Sequence, residues 1–91
     1  MDKQQPIPIG CLEESFKGNL RIRLHEVQTR DGSKTYLVEI AAWSSWAGQG
    51  KLLFAQGGID EEIARELFNV FTKRFRGYDW QEDEFLLEGD E

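Results

Sequence analysis

Cysteine and histidine occur once each, as Cys11 and His25, and proline twice, as Pro6 and Pro8. A single thiol closes no intramolecular disulfide and builds no cysteine zinc site, which fits a reducing compartment, so a cytoplasmic location is expected. The two prolines exclude helix from the opening decapeptide and leave residues 1–10 as an expected flexible arm. That opening lacks the apolar stretch of a secretory signal, and no apolar run approaches the roughly 18 residues of a membrane span, so no membrane partner is expected.

The scarcity of nucleophiles and bases removes most catalytic chemistry. Acyl transfer needs an activated nucleophile with a base and an orienting group beside it, and this chain offers one imidazole and one thiol. His25 alternates with Arg21 and Arg23, which reads as a polar residue on the outer side of a strand. Cys11 reads as a small apolar residue near the edge of a core. Carboxylates are plentiful, but general acid–base work needs two in different environments across a cleft, which adjacency in sequence does not supply. Glu82, Asp83 and Glu84 lack the spacing and turn glycine of a calcium loop. The glycines at 48, 50, 57 and 58 match neither a dinucleotide nor a Walker pattern. The expectation is a protein that is not an enzyme and that has no cofactor and no metal.

Basic residues are missing from one region only. Up to Tyr78 the 91-residue chain carries eleven bases against ten acids; the last thirteen residues carry seven acids and no base, so the net charge of −6 resides at the end. Length and an apolar content of 40% suit a single small domain, residues 1–91, which would bury roughly 60–65% of its unfolded surface. Within it, residues 19–78 read as a sheet-plus-helix core and residues 79–91 as an acidic-aromatic end.

Apolar periodicity supplies the elements. Cys11, Leu12 and Phe16, followed by Gly18, have the loose spacing of a short turn of helix. Leu20, Ile22 and Leu24 alternate with Arg21, Arg23 and His25, a half-buried strand. Asp31-Gly32 signals a tight turn. Residues 36–43 form a second strand, apolar on both faces and therefore central. After the polar loop at 44–50, residues 51–55 make a short third strand. From Asp60 to Arg76 every helix signal agrees: Asp60 as N-cap, Glu61 and Glu62 in the first turn, Lys73, Arg74 and Arg76 in the last, Gly77 at the stop. Ile63, Leu67, Phe71 and Phe75, flanked by Ala64, Phe68 and Val70, form its apolar stripe. Residues 79–82 have the spacing of a capping box. The expected fold is α+β: a three-stranded antiparallel β-meander packed against one long α-helix, with a short acidic C-terminal segment folding back.

Two clusters stand out as contact surfaces. Trp43 and Trp46 flank Ser44 and Ser45 where the second strand enters its loop, and large aromatics on a polar loop anchor protein interfaces. Trp80 and Phe85 with Glu82, Asp83 and Glu84 make an acidic-aromatic segment suited to a basic surface. The simpler reading is that one indole and the terminal apolar residues complete the core while the carboxylates neighbour Lys73, Arg74 and Arg76. A competing face contains Arg21, Arg23, Arg30 and Lys34, which with exposed indoles would meet a phosphate backbone; Glu39 projects beside it and breaks its continuity.

Through Lys34 to Ile40 (KTYLVEI), Gly48-Gln49, Phe54 and Arg76-Gly77-Tyr78, the chain resembles the WGR domain, a nucleic-acid-responsive module of poly(ADP-ribose) polymerases. That resemblance implies nucleic-acid binding. The family's Trp-Gly-Arg triplet is replaced by Trp43-Ser44-Ser45, which removes its glycine and its phosphate-facing arginine. In plan the chain is also similar to some phage-borne inhibitors of CRISPR nucleases. The expected function is a small non-enzymatic acidic protein-binding module, of inhibitor, immunity or regulatory type, that contacts a basic partner surface. The alternative is a degenerate WGR-like nucleic-acid-binding domain, which the net charge disfavours; self-association through an exposed sheet edge is a further option.

Overall fold

A computed structural model describes residues 7–44 and 48–89. Four strands, β1 (Ile7–Lys17), β2 (Leu20–Gln28), β3 (Lys34–Ser44) and β4 (Gln49–Ile59), precede helix α1 (Glu61–Arg74) and the strands β5 (Phe75–Asp79) and β6 (Glu84–Leu87). The first four form one antiparallel sheet in sequence order, and β5 pairs with β6 in a second, two-stranded sheet. The molecule is therefore mostly β. The expected three-stranded meander against one long helix is corrected to a four-stranded sheet, a 14-residue helix and a hairpin.

The added strand is β1, which includes residues 7–10 of the expected flexible arm and the expected short helical turn; residues 1–6 of that arm lie outside the described residues. Two bulges, between Pro8 and Gly10 and between Cys11 and Glu13, break its register with β2. Each bulge inserts an unpaired residue, so the period-two signature is lost although the backbone stays extended. As an edge strand it also tolerates Pro8, whose missing N–H disrupts no central ladder.

β2 and β3 pair without any register shift from Leu20↔Ala42 to Gln28↔Lys34. Their inward rows, Leu20 and Ala42, Ile22 and Ile40, Leu24 and Val38, are all 2% exposed or less and form the floor of the core. The connecting turn is held by Asp31, whose Oδ1 accepts from Thr29 Oγ1 at 2.6 Å, Ser33 Oγ at 2.7 Å and Ser33 N at 3.0 Å, while Gly32 takes φ +90°. These donors stabilise the ionised carboxylate and lower its pKa from 3.8 to about 2.

Helix α1 lies on this floor with Ala64 and Phe68 buried and Leu67 and Phe71 packed beside them. Ala64 is fully buried, so the helix approaches the sheet closely at that point. Asp60 precedes the helix in extended conformation and makes no side-chain cap; its carbonyl accepts the first helical bond from Ala64 N at 2.9 Å. Nor does the helix stop at Gly77. Phe75 leaves it in extended conformation and opens β5, because the next residues are claimed by strand pairing. The capping-box spacing at Asp79 is used, but in the β5–β6 turn: Asp79 Oδ1 accepts from Gln81 N at 3.0 Å and Glu82 N at 3.2 Å.

The hairpin is fastened to the large sheet by Asn19. Its Nδ2 donates to Tyr78 O at 2.9 Å and its Oδ1 accepts from Tyr78 N at 2.8 Å, so one side chain imitates a strand neighbour. Gly18 makes this approach possible: at φ +61°, a Cβ there would stand 2.5 Å from Arg76 O. Aromatic rings continue the connection, Phe54 edge-on to Phe71 at 5.1 Å, Phe71 over Phe75 at 5.5 Å and Phe75 over Phe85 at 4.2 Å.

Two outcomes follow from these contacts. Asn19→Ala strands both polar groups of Tyr78 and should cost about 1–3 kcal/mol in urea unfolding; a loss below about 0.5 kcal/mol would show that the clasp contributes nothing. The Asp31 carboxyl, followed by carbon NMR, should titrate near 2. Because its folded pKa lies below its unfolded value, the support it gives the turn is present above 3.8 and lost as pH falls through about 2; a midpoint at 3.8 contradicts the turn geometry.

Candidate functional site

Antiparallel pairing brings three connections to one end of the sheet: the β1–β2 turn at Gly18 and Asn19, the β3–β4 connection after Ser44, and the β5–β6 turn. Lys51 joins them. It is in register with Ala42, and its Nζ donates to Tyr78 Oη at 3.2 Å and to Asp83 Oδ1 at 3.0 Å while lying 5.6 and 5.9 Å from the Tyr78 and Trp80 ring centroids. One ammonium group thus faces two aromatic rings and a carboxylate, which holds the acidic turn against the sheet.

The expected contact residues divide at this end. Glu82, Asp83 and Glu84 are exposed on the turn, with Asp83 in the left-handed region at φ +58°. Asp83 is paired to Lys51, whereas Glu82 and Glu84 form no ion pair among the described residues. Phe85 and Trp80, by contrast, pack against the core. Phe85 stacks on Phe75, and Trp80 meets Tyr78 edge-on at 5.8 Å with its Nε1–H buried and no acceptor among the described residues. The cation at the turn itself is Lys51, on Asp83, whereas Arg74 and Arg76 border the acidic end further on, where Glu88 N donates to Arg74 O at 2.6 Å. Arg76 donates from Nε to Leu87 O at 3.1 Å.

Trp43 is 55% exposed, on the sheet face opposite the helix, and lies over Gly50, where a Cβ would come within 3.3 Å of the indole. The glycine across the ladder gives the ring its seat. Trp46 and Ser45 lie outside the described residues.

On the same helix-free face, Glu14 Oε2 accepts from Arg23 Nε at 3.0 Å and stands 3.8 Å from Arg21 Nε. Glu39 is in register with Arg23, and its Oε1 meets His25 Nε2 at 2.5 Å. Lys34 pairs with Glu26 at 3.2 Å, and Arg30 is exposed in the turn. The bases of the competing face are therefore interleaved with acids rather than gathered into a patch. His25 is only 9% exposed and has a carboxylate, not a nucleophile, as its neighbour. Cys11 is exposed, with Sγ 3.3 Å from Glu13 O, and not at a core edge. Among the described residues no His, Cys, Asp and Glu side chains group as a metal centre, and no helix is long and apolar enough to cross a membrane.

No family model, curated protein or solved structure matches the chain. Its site rests on geometry alone. Reading the sequence missed Lys51, since nothing local marks a lysine whose partners lie about thirty residues away. It also missed the exposure of Phe16 and Leu52, 66% and 60%. Phe16 shares the outer face through its pairing with Arg21, and Leu52 through its pairing with Ala41 beyond a register shift, neither of which local alternation shows.

The clasp has a direct check. Lys51→Met keeps the stem and removes the charge; amides of residues 79–84 should then exchange several-fold faster with deuterium while β2 and β3 keep their protection. Equal exchange in the turn would show that Lys51 does not hold it.

Proposed function

We propose that this chain is a small non-enzymatic protein-binding module, of inhibitor, immunity or regulatory type, that contacts a basic surface of another protein. The observation that carries the reading is the β5–β6 turn. Glu82 and Glu84 are presented without an ion-pair partner among the described residues, on a turn fixed by Asp79 and Lys51. A preformed acidic turn orders no new backbone when a partner arrives, and complementary charge speeds encounter and selects against acidic surfaces. Trp43, exposed on the neighbouring part of the same end, is the aromatic anchor of the proposed interface. Phe85 and Trp80 serve it indirectly, by holding the turn from inside.

The nucleic-acid reading has less support. Arg23 and Lys34 already face Glu14 and Glu26, and a net charge of −6 repels a phosphate backbone at long range.

Affinity capture by the tagged full-length chain, with and without nuclease, tests the proposal. A stoichiometric protein that survives nuclease, weakens as salt rises and is lost with the Glu82→Lys/Glu84→Lys double variant is the expected result. Recovery that disappears with nuclease, or a partner that the double variant holds equally at low and high salt, refutes it.

A further inference from the structure

Phe16, Arg21, Ala41 and Leu52 are successive cross-strand partners over β1, β2, β3 and β4, so they form one row across the helix-free face. Cα extents of 46 × 29 × 17 Å give the molecule, in its thin direction, room for one sheet and one helical layer and no third. Among the described residues the row is therefore open. Phe16, Leu52 and the adjoining Trp43 are the three most exposed large apolar side chains among the described residues, and they gather on this face. Phe16 and Trp43 line a shallow groove of about 640 Å³ together with Gly18, Asn19, Arg21 and Ala41.

Arg21 supplies the polar character of the groove. Its side chain is 47% exposed and its nearest carboxylate, Glu14, stands at 3.8 Å with its hydrogen bond given to Arg23. No hydrogen bond engages the Arg21 guanidinium among the described residues. An apolar groove floored by a guanidinium with open donors is complementary to a carboxylate carried next to a large apolar side chain.

We infer that this groove binds an extended peptide segment in which Asp or Glu adjoins a large apolar residue, the carboxylate meeting Arg21 and the apolar side chain lying between Phe16 and Trp43. The acidic end of a second copy as folded does not supply that segment, because its apolar residues, Trp80 and Phe85, pack against its core; pairing of copies through β1 is an outcome the test separates. A nucleic-acid strand needs a track of free cations, and the next base along β2, Arg23, is engaged by Glu14. The inference shares Trp43 with the proposed interface but does not use the acidic turn, whose charge attracts partners of the opposite kind.

Amide chemical-shift titration of the full-length protein tests it. The probe is a blocked pentapeptide alternating glutamate with phenylalanine and leucine, against the same peptide with glutamine or lysine in place of glutamate and an oligothymidylate. Saturable shifts of residues 16–21, residues 41–43 and the Trp43 indole N–H are expected with the acidic peptide. Affinity should fall at least about ten-fold with the glutamine peptide, with Arg21→Gln and with Trp43→Ala. Both groove substitutions are at exposed side chains, and dispersed spectra of the variants show that they fold. Equal binding of the glutamine or lysine peptide, absence of shifts, tighter binding of the oligothymidylate, or shifts that follow protein concentration without peptide would each overturn the assignment.

Discussion

One helix is too narrow to cover four strands. With side chains a helix is about 10 Å across, whereas four strands at about 4.8 Å spacing present a floor nearer 19 Å wide. The rows of Leu20, Ile22, Leu24, Val38 and Ile40 are buried to 1% or less, so something besides α1 must lie on them. The β5–β6 hairpin is that second cover. Tyr78 enters the core outright, and Phe75, Trp80 and Phe85 pack against it. The Asn19 carboxamide and the close approach at Gly18 dock the hairpin in one position, because backbone polar groups brought that near a sheet must find partners.

This shortage of cover shapes the acidic end. Its apolar side chains are drawn inward, which leaves the carboxylates of Glu82, Asp83 and Glu84 on a turn with little apolar surface of its own. Lys51 balances part of that charge at the boundary between the two sheets, where the Tyr78 and Trp80 rings also receive it. The turn is thus both a consequence of core completion and the most charged surface at this end of the molecule. Its exposed carboxylates are Glu82, Asp83 and Glu84, while the aromatic residues beside them in sequence pack against the core.

The opposite face follows a different rule. With no layer of described residues over it, its polar groups engage one another across the strands, Glu14 with Arg23 as an ion pair and Glu39 with His25 by a hydrogen bond. Two arginines share one carboxylate there, so Arg21 keeps open donors beside Phe16 and Trp43. Acidic turn and arginine groove sit at the same end of the sheet, since antiparallel pairing returns alternate connections to one side. A single partner touching both would have to present basic and acidic elements in a fixed arrangement, which is a source of specificity.

Local signals determined much of this. Strict alternation from Leu20 to Leu24 placed β2 and its faces, Asp31-Gly32 placed the first turn, and the four-residue spacing of Leu67 and Phe71 placed the helix. Each of these depends on residues a few positions apart, within one element whose period is unbroken. Tertiary structure alone decided the rest. β1 is a strand because the exposed edge of β2 required a partner, and its bulges hide it from any periodicity. Phe75 to Asp79 left the helical pattern because strand pairing with β6 and the bonds to Asn19 outweigh one more helical turn. Whether Trp80 or Trp43 would be exposed was settled by which sheet face lacked cover. That is a property of widths and layers, which no run of neighbouring residues encodes.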